Sequence, residues 1–180
     1  MIYSIFSLIV DTVAGVLVGV LLLRFWMQAI RVRPPNSLGQ FAFQLTDWLV
    51  RPLRKLVPGV AGYDWATLIG AILVMLVAVS IDVLLVAGFS PKTIFVLTLL
   101  RLLQWVLYGF MGLILVETIF SWVNPQAPLA PFISALNAPF LRPLRRIVPM
   151  IGNIDLSPLA ALLLLQIALR LVSALLLPLA

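Results

Sequence analysis

Four long apolar segments alternate with polar segments along the chain. They cover residues 2–30, 66–88, 93–123 and 156–177. A helix needs roughly 20 mostly apolar residues to cross the hydrocarbon core of a membrane, and each segment is about that long or longer. The pattern therefore predicts an all-α membrane protein with four transmembrane helices.

The composition agrees with this prediction. Hydrophobic residues make up 63% of the 180 residues and charged residues only 10%, with a mean hydropathy of +1.19. A soluble domain would be about half apolar and about a quarter charged. Cysteine and histidine are both absent, which excludes zinc sites, cysteine nucleophiles and iron–sulfur clusters. We expect no enzymatic activity and no bound cofactor or metal.

The basic residues predict how the chain is oriented. The polar segments are two loops of about 30 residues and a short turn at residues 88–92, and the turn carries only Lys92. The long loops hold Arg31, Arg33, Arg51, Arg54, Lys55, Arg142, Arg145 and Arg146. Cytoplasmic loops carry an excess of Lys and Arg, so both long loops should face the cytoplasm and both termini the other side. No basic leader or transit sequence is present, which favours a multi-pass protein of a bacterial inner membrane.

Each long loop contains a segment with helical periodicity. Apolar residues recur three or four positions apart in residues 36–50, at Leu38, Phe41, Leu45 and Leu49. The pattern returns at about 129–141, with Leu129, Phe132, Ile133, Leu136 and Phe140. We expect two amphipathic helices on the cytoplasmic side. They either cover the end of their own bundle or lie in the bilayer interface with Trp48 as an anchor.

The two halves of the chain repeat each other at a shift of 91 residues. This shift superimposes residues 51–58 (RPLRKLVP) on residues 142–149 (RPLRRIVP), and it matches Asp64 with Asp155. A register of this length without a gap indicates a duplication. We predict one repeat in residues 1–90 and another in residues 91–180. They should have the same orientation and be related by a pseudo-two-fold axis along the membrane normal.

This doubled arrangement resembles the YggT family of small integral membrane proteins. The resemblance covers nearly the whole chain, including Ser121-Trp122 and Asn124-Pro125, whereas the first half departs there with residues 31–34 (RVRP). It implies roles in osmotic tolerance and ion homeostasis, in cell division or nucleoid distribution, and in haem attachment to a plastid b-type cytochrome.

The repeated basic motif combines six cations: Arg51, Arg54, Lys55, Arg142, Arg145 and Arg146. The prolines that follow Arg51 and Arg142 disfavour helical geometry, so we expect a helix break there. The motif could serve as a topology signal, bind anionic lipid headgroups, or bind an acidic surface on a partner protein. Nucleic acid is not an expected partner.

Asp64 and Asp155 precede the second and fourth apolar segments. An aspartate at a helix start can accept hydrogen bonds from free backbone N–H groups and interacts favourably with the helix dipole. Each aspartate could also pair with the basic motif that precedes it. Helix capping and ion pairing are both expected in preference to metal binding.

Three acidic and three basic residues fall inside the apolar segments, and the shift by 91 places each acid near an arginine of the other half: Asp11 with Arg101, Asp82 with Arg170, and Glu117 with Arg24. An unpaired charge at the bilayer centre costs roughly 2.5–3.5 kcal/mol, so pairing is expected. The first two pairs should lie in the outer half and the third near the cytoplasmic end. Ion pairs that hold the halves together are the leading hypothesis, followed by a proton or ion path and by snorkelling.

Two functions remain open on this basis. The first is a non-enzymatic scaffold or assembly factor, whose partner is an unidentified membrane protein or a second copy of the chain. The second, suggested by the family's link to osmotic tolerance, is a component of an ion channel or transporter.

Overall fold

The computed structural model describes residues 2–57, 59, 62–86, 88–148 and 155–180, without the side chains of residues 2, 3 and 86. Pro58 and Pro149, which end the two basic motifs, lie outside the described residues. The described residues form six α-helices and no strand. The helices are α1 (Ile2–Ala29), α2 (Asn36–Leu56), α3 (Trp65–Val86), α4 (Pro91–Val123), α5 (Ala130–Ile147) and α6 (Ser157–Leu176), and a short 3-10 helix follows at Leu177–Leu179.

Four of the helices are long and apolar enough to cross a membrane. The candidate spans are Ser4–Ala29, Trp65–Leu85, Pro91–Val123 and Ser157–Leu179. The predicted all-α class with four long apolar helices is therefore confirmed. At about 1.5 Å per residue, the 33 residues of α4 extend about 50 Å, well beyond a hydrocarbon core of about 30 Å. A helix of this length can cross a membrane only if it tilts or projects beyond the hydrocarbon core.

The helices pack as an antiparallel bundle. α1 lies against α3, α4 lies against α6, and α3 and α1 both contact α4. The largest buried cluster includes Val18, Leu21, Met75 and Val79, from α1 and α3, together with Val50 of α2. A close contact joins α1 to α4, because a Cβ at Gly15 would overlap the indole ring of Trp105.

One end of the bundle carries both short helices, and we call it the basic end. Here α1 and α4 finish, α3 and α6 begin, and α2 and α5 fold back over the span ends. α2 packs on α1 and α3, whereas α5 packs on α4 and α6. α5 also reaches the end of α1, where Met27 is buried against Phe132, Ile133 and Leu136. At the opposite end, the Thr93 hydroxyl donates a hydrogen bond to the carbonyl of Ala180 (2.6 Å).

The predicted helix break at the basic motifs is wrong. α2 continues through Pro52 to Leu56, and α5 contains Pro139 and Pro143. A proline inside a helix removes one backbone hydrogen bond, and the local preference it imposes on the preceding residue is modest. Leu53 packs against the core cluster, and this contact holds the last turn of α2 in place.

The buried face of α2 combines small residues with part of the predicted apolar stripe. The residues that face the bundle are small: Gly39, Ala42, Thr46 and Val50. The larger residues Leu38, Phe41 and Trp48 are exposed instead. Leu49, a residue of the predicted stripe, packs against the core cluster, so only part of the stripe faces outward.

Candidate functional site

Arg101 links three spanning helices near the end of the bundle opposite the basic end. Its Nη1 donates hydrogen bonds to Asp11 of α1 and to Asp82 of α3, both at 2.7 Å. The other oxygen of Asp82 accepts a hydrogen bond from the Ser7 hydroxyl (2.7 Å). The structure thus brings together three of the six charges predicted to lie inside the spans.

Arg170, the expected partner of Asp82, is placed elsewhere. It lies on α6 with an exposed side chain, and it forms no hydrogen bond or ion pair with the described residues. Asp82 faces α4 and pairs there with Arg101. Exposed leucine and isoleucine side chains surround Arg170, among them Ile167 and Leu171.

Arg24 and Glu117 do not pair with each other either. Arg24 donates from Nη1 to the Thr46 hydroxyl (2.8 Å) and to Asp47 (2.7 Å), both on α2. Burial alone would raise the pKa of Asp47, but hydrogen bonds and charge from Arg24 and Arg51 lower it below its ordinary value. The apolar periodicity of residues 36–50 does not reveal Asp47 as the partner of Arg24.

Glu117 lies near the end of α4, two residues from the position that the 91-residue shift matches with Arg24. Its carboxylate accepts hydrogen bonds from Asn137 Nδ2 (2.7 Å) and from Arg145 Nη2 (3.2 Å), both on α5. Thr46 and Asn137 are separated by the 91-residue shift. In each half, therefore, a charged side chain near the end of a span binds the same position of the short helix. The signs of the charges are reversed between the halves.

Asp64 and Asp155 each form an ion pair with the preceding motif. Asp64 pairs with Arg54, and Asp155 accepts a hydrogen bond from Arg145 Nε (2.9 Å). Asp64 also accepts from the Thr67 hydroxyl (2.6 Å), and Asp155 accepts from a backbone N–H at the start of α6 (2.9 Å). Both acids thus combine pairing with a contact to the first turn of a span.

These contacts shift the pKa values of the paired groups. Burial would raise the pKa of Asp64, but hydrogen bonds from Arg54 and Thr67 lower it overall. The pKa of Asp155 is likewise lowered despite burial, through Ser157 and Arg145. The hydrogen bond to Asp64 raises the pKa of Arg54. Both aspartates are therefore charged at neutral pH.

The remaining cations of the basic motifs are exposed. Lys55, Arg142 and Arg146 form no ion pair with any described residue. All six acidic residues of the chain are described, and each already forms at least one ion pair. No group of three or more acidic side chains that could hold a metal occurs in the described part of the chain.

Comparison with known proteins establishes the relationship of the chain. The family model described as CCB3/YggT matches it twice, over residues 2–85 and 96–176. The chain belongs to the YggT family. The Arg54–Asp64 pair lies in the first matched segment and the Arg145–Asp155 pair in the second. Each matched segment therefore contains one copy of this contact.

Relatives cover most of the chain. An uncharacterized YggT protein of Escherichia coli K12 is 33% identical over 162 residues, which are 89% of this chain and 85% of the relative. An uncharacterized protein of Vibrio alginolyticus is 32% identical over 173 residues, 90% of each chain. A Pseudomonas aeruginosa relative is 33% identical over 165 residues, covering 88% of this chain and 83% of its own. No solved structure matches the chain significantly.

Proposed function

We propose that this YggT-family protein is a non-enzymatic scaffold or assembly factor of the bacterial inner membrane. In this proposal it holds another membrane protein through a contact between transmembrane helices. The relatives come from Gram-negative bacteria, which supports the inner membrane as the location.

Arg170 is the observation that carries the proposal. It lies 13 residues beyond the start of α6 at Ser157, which is about 20 Å along the helix and therefore inside the candidate span. A cation facing lipid at this depth costs roughly 2.5–3.5 kcal/mol unless it is paired. A carboxylate on a partner helix would remove that cost and would select the partner.

The acidic residues argue against an ion path through the bundle. Asp11 and Asp82 share Arg101, and Glu117 is held by Asn137 and Arg145. A carboxylate held between fixed cations and donors is poorly suited to bind and release ions in turn. This arrangement favours a scaffold over a channel component.

The remaining parts of the proposal concern arrangement in the membrane. The matched segments form two parallel repeats, and the basic end faces the cytoplasm with both termini outside. α2 lies in the bilayer interface, supported by its exposed stripe of Leu38, Phe41 and Trp48. A reporter fused to the C-terminus should be active outside the cytoplasm, and cytoplasmic activity would contradict this orientation.

Site-specific cross-linking in native membranes tests the partner contact. A photo-reactive amino acid at Leu171, which is 57% exposed beside Arg170, should form one stoichiometric cross-link to another integral membrane protein. Arg170→Gln should abolish it. Arg146→Gln, which removes an equally unpaired cation at the basic end, should leave it unchanged. Exchanging Arg170 for Asp and the partner's carboxylate for Arg should restore the cross-link.

Two results would contradict the proposal. The first is a cross-link only to a second copy of the chain, which would indicate self-association. The second is selective ion flux by the pure protein in liposomes. If the scaffold supports osmotic tolerance, Arg170→Gln should reduce growth at high osmolarity while the protein level stays unchanged.

A further inference from the structure

A cavity rich in arginine lies at the basic end, between the end of α1 and α2. Its volume is about 750 Å³, within the range of small-molecule binding sites. Its lining includes five arginines and one acid: Arg24, Arg31, Arg33, Arg51, Arg54 and Asp47. Sequence periodicity did not predict it, because the arginines come from a span end, a loop and a short helix.

The cavity carries an excess of positive charge. Asp47 neutralises one arginine, and Asp64 neutralises Arg54 from outside the lining, so that three positive charges are left over. Like charges gathered around one partly enclosed space repel each other. An anion in this space would remove the repulsion.

Arg24 has an unused donor in this region. The residue is 4% exposed, and its guanidinium lies 4.6 Å from the centre of the Phe43 ring. Its Nη1 is engaged by Thr46 and Asp47, but its Nε is buried without a hydrogen-bond partner. A buried donor without an acceptor is costly, and an anionic oxygen is an acceptor that would remove this cost.

Arg31 is held in a conformation that favours glycine. Its φ is 57°, and it is the only non-glycine residue with a positive φ among those described. The backbone N–H of Arg31 bonds to Gln28 and that of Val32 bonds to Met27, which is the hydrogen-bond pattern of a Schellman helix end. Glycine would fit this position without strain, so a guanidinium group here is retained at a structural cost.

The second half of the chain does not reproduce this cavity's charges. A shift by 91 residues replaces Arg24 with Leu115, Arg31 with Trp122 and Arg33 with Asn124. Only the basic motif itself is shared, with Arg51 matched by Arg142. General attraction to an anionic surface would need the motif alone, whereas a specific site needs the additional arginines of the first half.

We propose that this cavity binds a phosphate-bearing anion with at least two negative charges. Arginine suits such a ligand because its planar fork of N–H groups can bind two phosphate oxygens at once. The ligand is either an anionic phospholipid headgroup or a soluble phosphate compound. The site is independent of the partner contact at Arg170, which lies on another helix deeper in the membrane.

Binding assays on the purified full-length chain in detergent separate these sources. One arm titrates inorganic pyrophosphate by calorimetry. The other measures retention of cardiolipin, which carries two phosphates, by native mass spectrometry, with phosphatidylcholine as the neutral lipid. Binding of pyrophosphate as well as anionic lipid indicates that phosphate alone suffices. Retention of anionic lipid without pyrophosphate binding indicates that the site needs the lipid.

Matched variants test the site itself. Arg33→Gln combined with Arg51→Gln should weaken binding by about a hundredfold or more, because it removes two arginines that can bind the anion through charge-assisted hydrogen bonds. Arg142→Gln combined with Arg146→Gln removes the same charge from the same end and should change binding less than twofold. Arg31→Gly should weaken binding while the melting temperature stays constant or rises, which excludes misfolding as the cause.

Three results would overturn the proposal. They are equal loss of binding in the two double variants, unchanged binding in Arg31→Gly, and no binding of either pyrophosphate or anionic lipid by the unmodified chain.

Discussion

Replacing Arg101 with glutamine should destabilise the bundle more than any other single change of charge inside the spans. Its Nη1 contacts both Asp11 and Asp82 at 2.7 Å. Glutamine carries no positive charge, so it cannot neutralise the two carboxylates. The variant would therefore leave two acids of α1 and α3 close together without a cation.

The size of the effect follows from how the three groups are buried. The side chain of Asp82 is 11% exposed and would keep only the hydrogen bond from Ser7. Removing one partner of a buried ion pair costs about 3–5 kcal/mol, and we expect Arg101→Gln to lower the free energy of unfolding by that amount. Asp82→Asn should cost less, about 1.5–3 kcal/mol, because Arg101 still has Asp11 as a partner.

A mutant cycle in mild detergent measures these terms. Unfolding free energies are determined for both single variants, for their combination, and for the triple variant that adds Asp11→Asn. The triple variant contains no stranded charge and should be more stable than Arg101→Gln alone. Arg146→Gln is the control, and it should change the unfolding free energy by no more than about 0.5 kcal/mol.

Strictly additive losses across this cycle would refute the ion-pair interpretation. The interpretation would also be refuted if Asp82→Asn unfolded normally but lost an ion flux, and if adding Arg101→Gln did not restore that flux. That second outcome would identify Asp82 as part of an ion path. Recovery of stability in the triple variant would instead assign the cluster a structural role.

Three further results are expected. Thermal unfolding measured at several pH values should show that stability decreases as the pH drops below about 4. The pKa of Asp64 is lowered in the folded state, so its charged carboxylate stabilises the fold, and protonation removes that contribution. Gly15→Val should lower the unfolding free energy by about 1–3 kcal/mol through overlap with Trp105. Gly109→Ala, with nothing within 4 Å of the added carbon, should leave it unchanged or raise it slightly, because alanine is the better helix former. Arg31→Gly should raise the unfolding free energy by about 1 kcal/mol in a denaturant titration, since it relieves a positive φ.

The spans were predictable because membrane insertion depends on length and hydropathy, and both are properties of the sequence itself. The first residue of α4 is Pro91, close to the predicted start at residue 93, and its last is Val123, as predicted. The pairing of Arg101 with an acid was also within reach, since the shift by 91 placed it beside Asp11. Depth in the membrane follows directly from position along a spanning helix.

What could not be predicted is the direction in which each side chain faces. Arg170 and Asp82 lie at similar depths by the sequence, yet Arg170 is exposed on α6 and Asp82 is buried against α4. Likewise, the apolar residues of α2 have helical periodicity, but Leu38 and Phe41 are exposed whereas Leu49 packs against the core cluster. The rotation of a helix about its axis depends on how closely neighbouring helices approach. It is therefore set by the packing of two helices together and cannot be read from the periodicity of one helix.

The partners of the charges near the span ends depend on the same packing. In the first half, Asp47 pairs with both Arg24 and Arg51, and Arg31 and Arg33 face the same cavity without an acidic partner of their own. In the second half the sign is reversed, and Arg145 is shared between Glu117 and Asp155. In the second half one arginine is shared by two acids, whereas in the first half several arginines surround one acid. The net positive charge is therefore greater in the first half. The two halves therefore combine similar packing with different local charge, so an anion-binding role is expected of the first half alone.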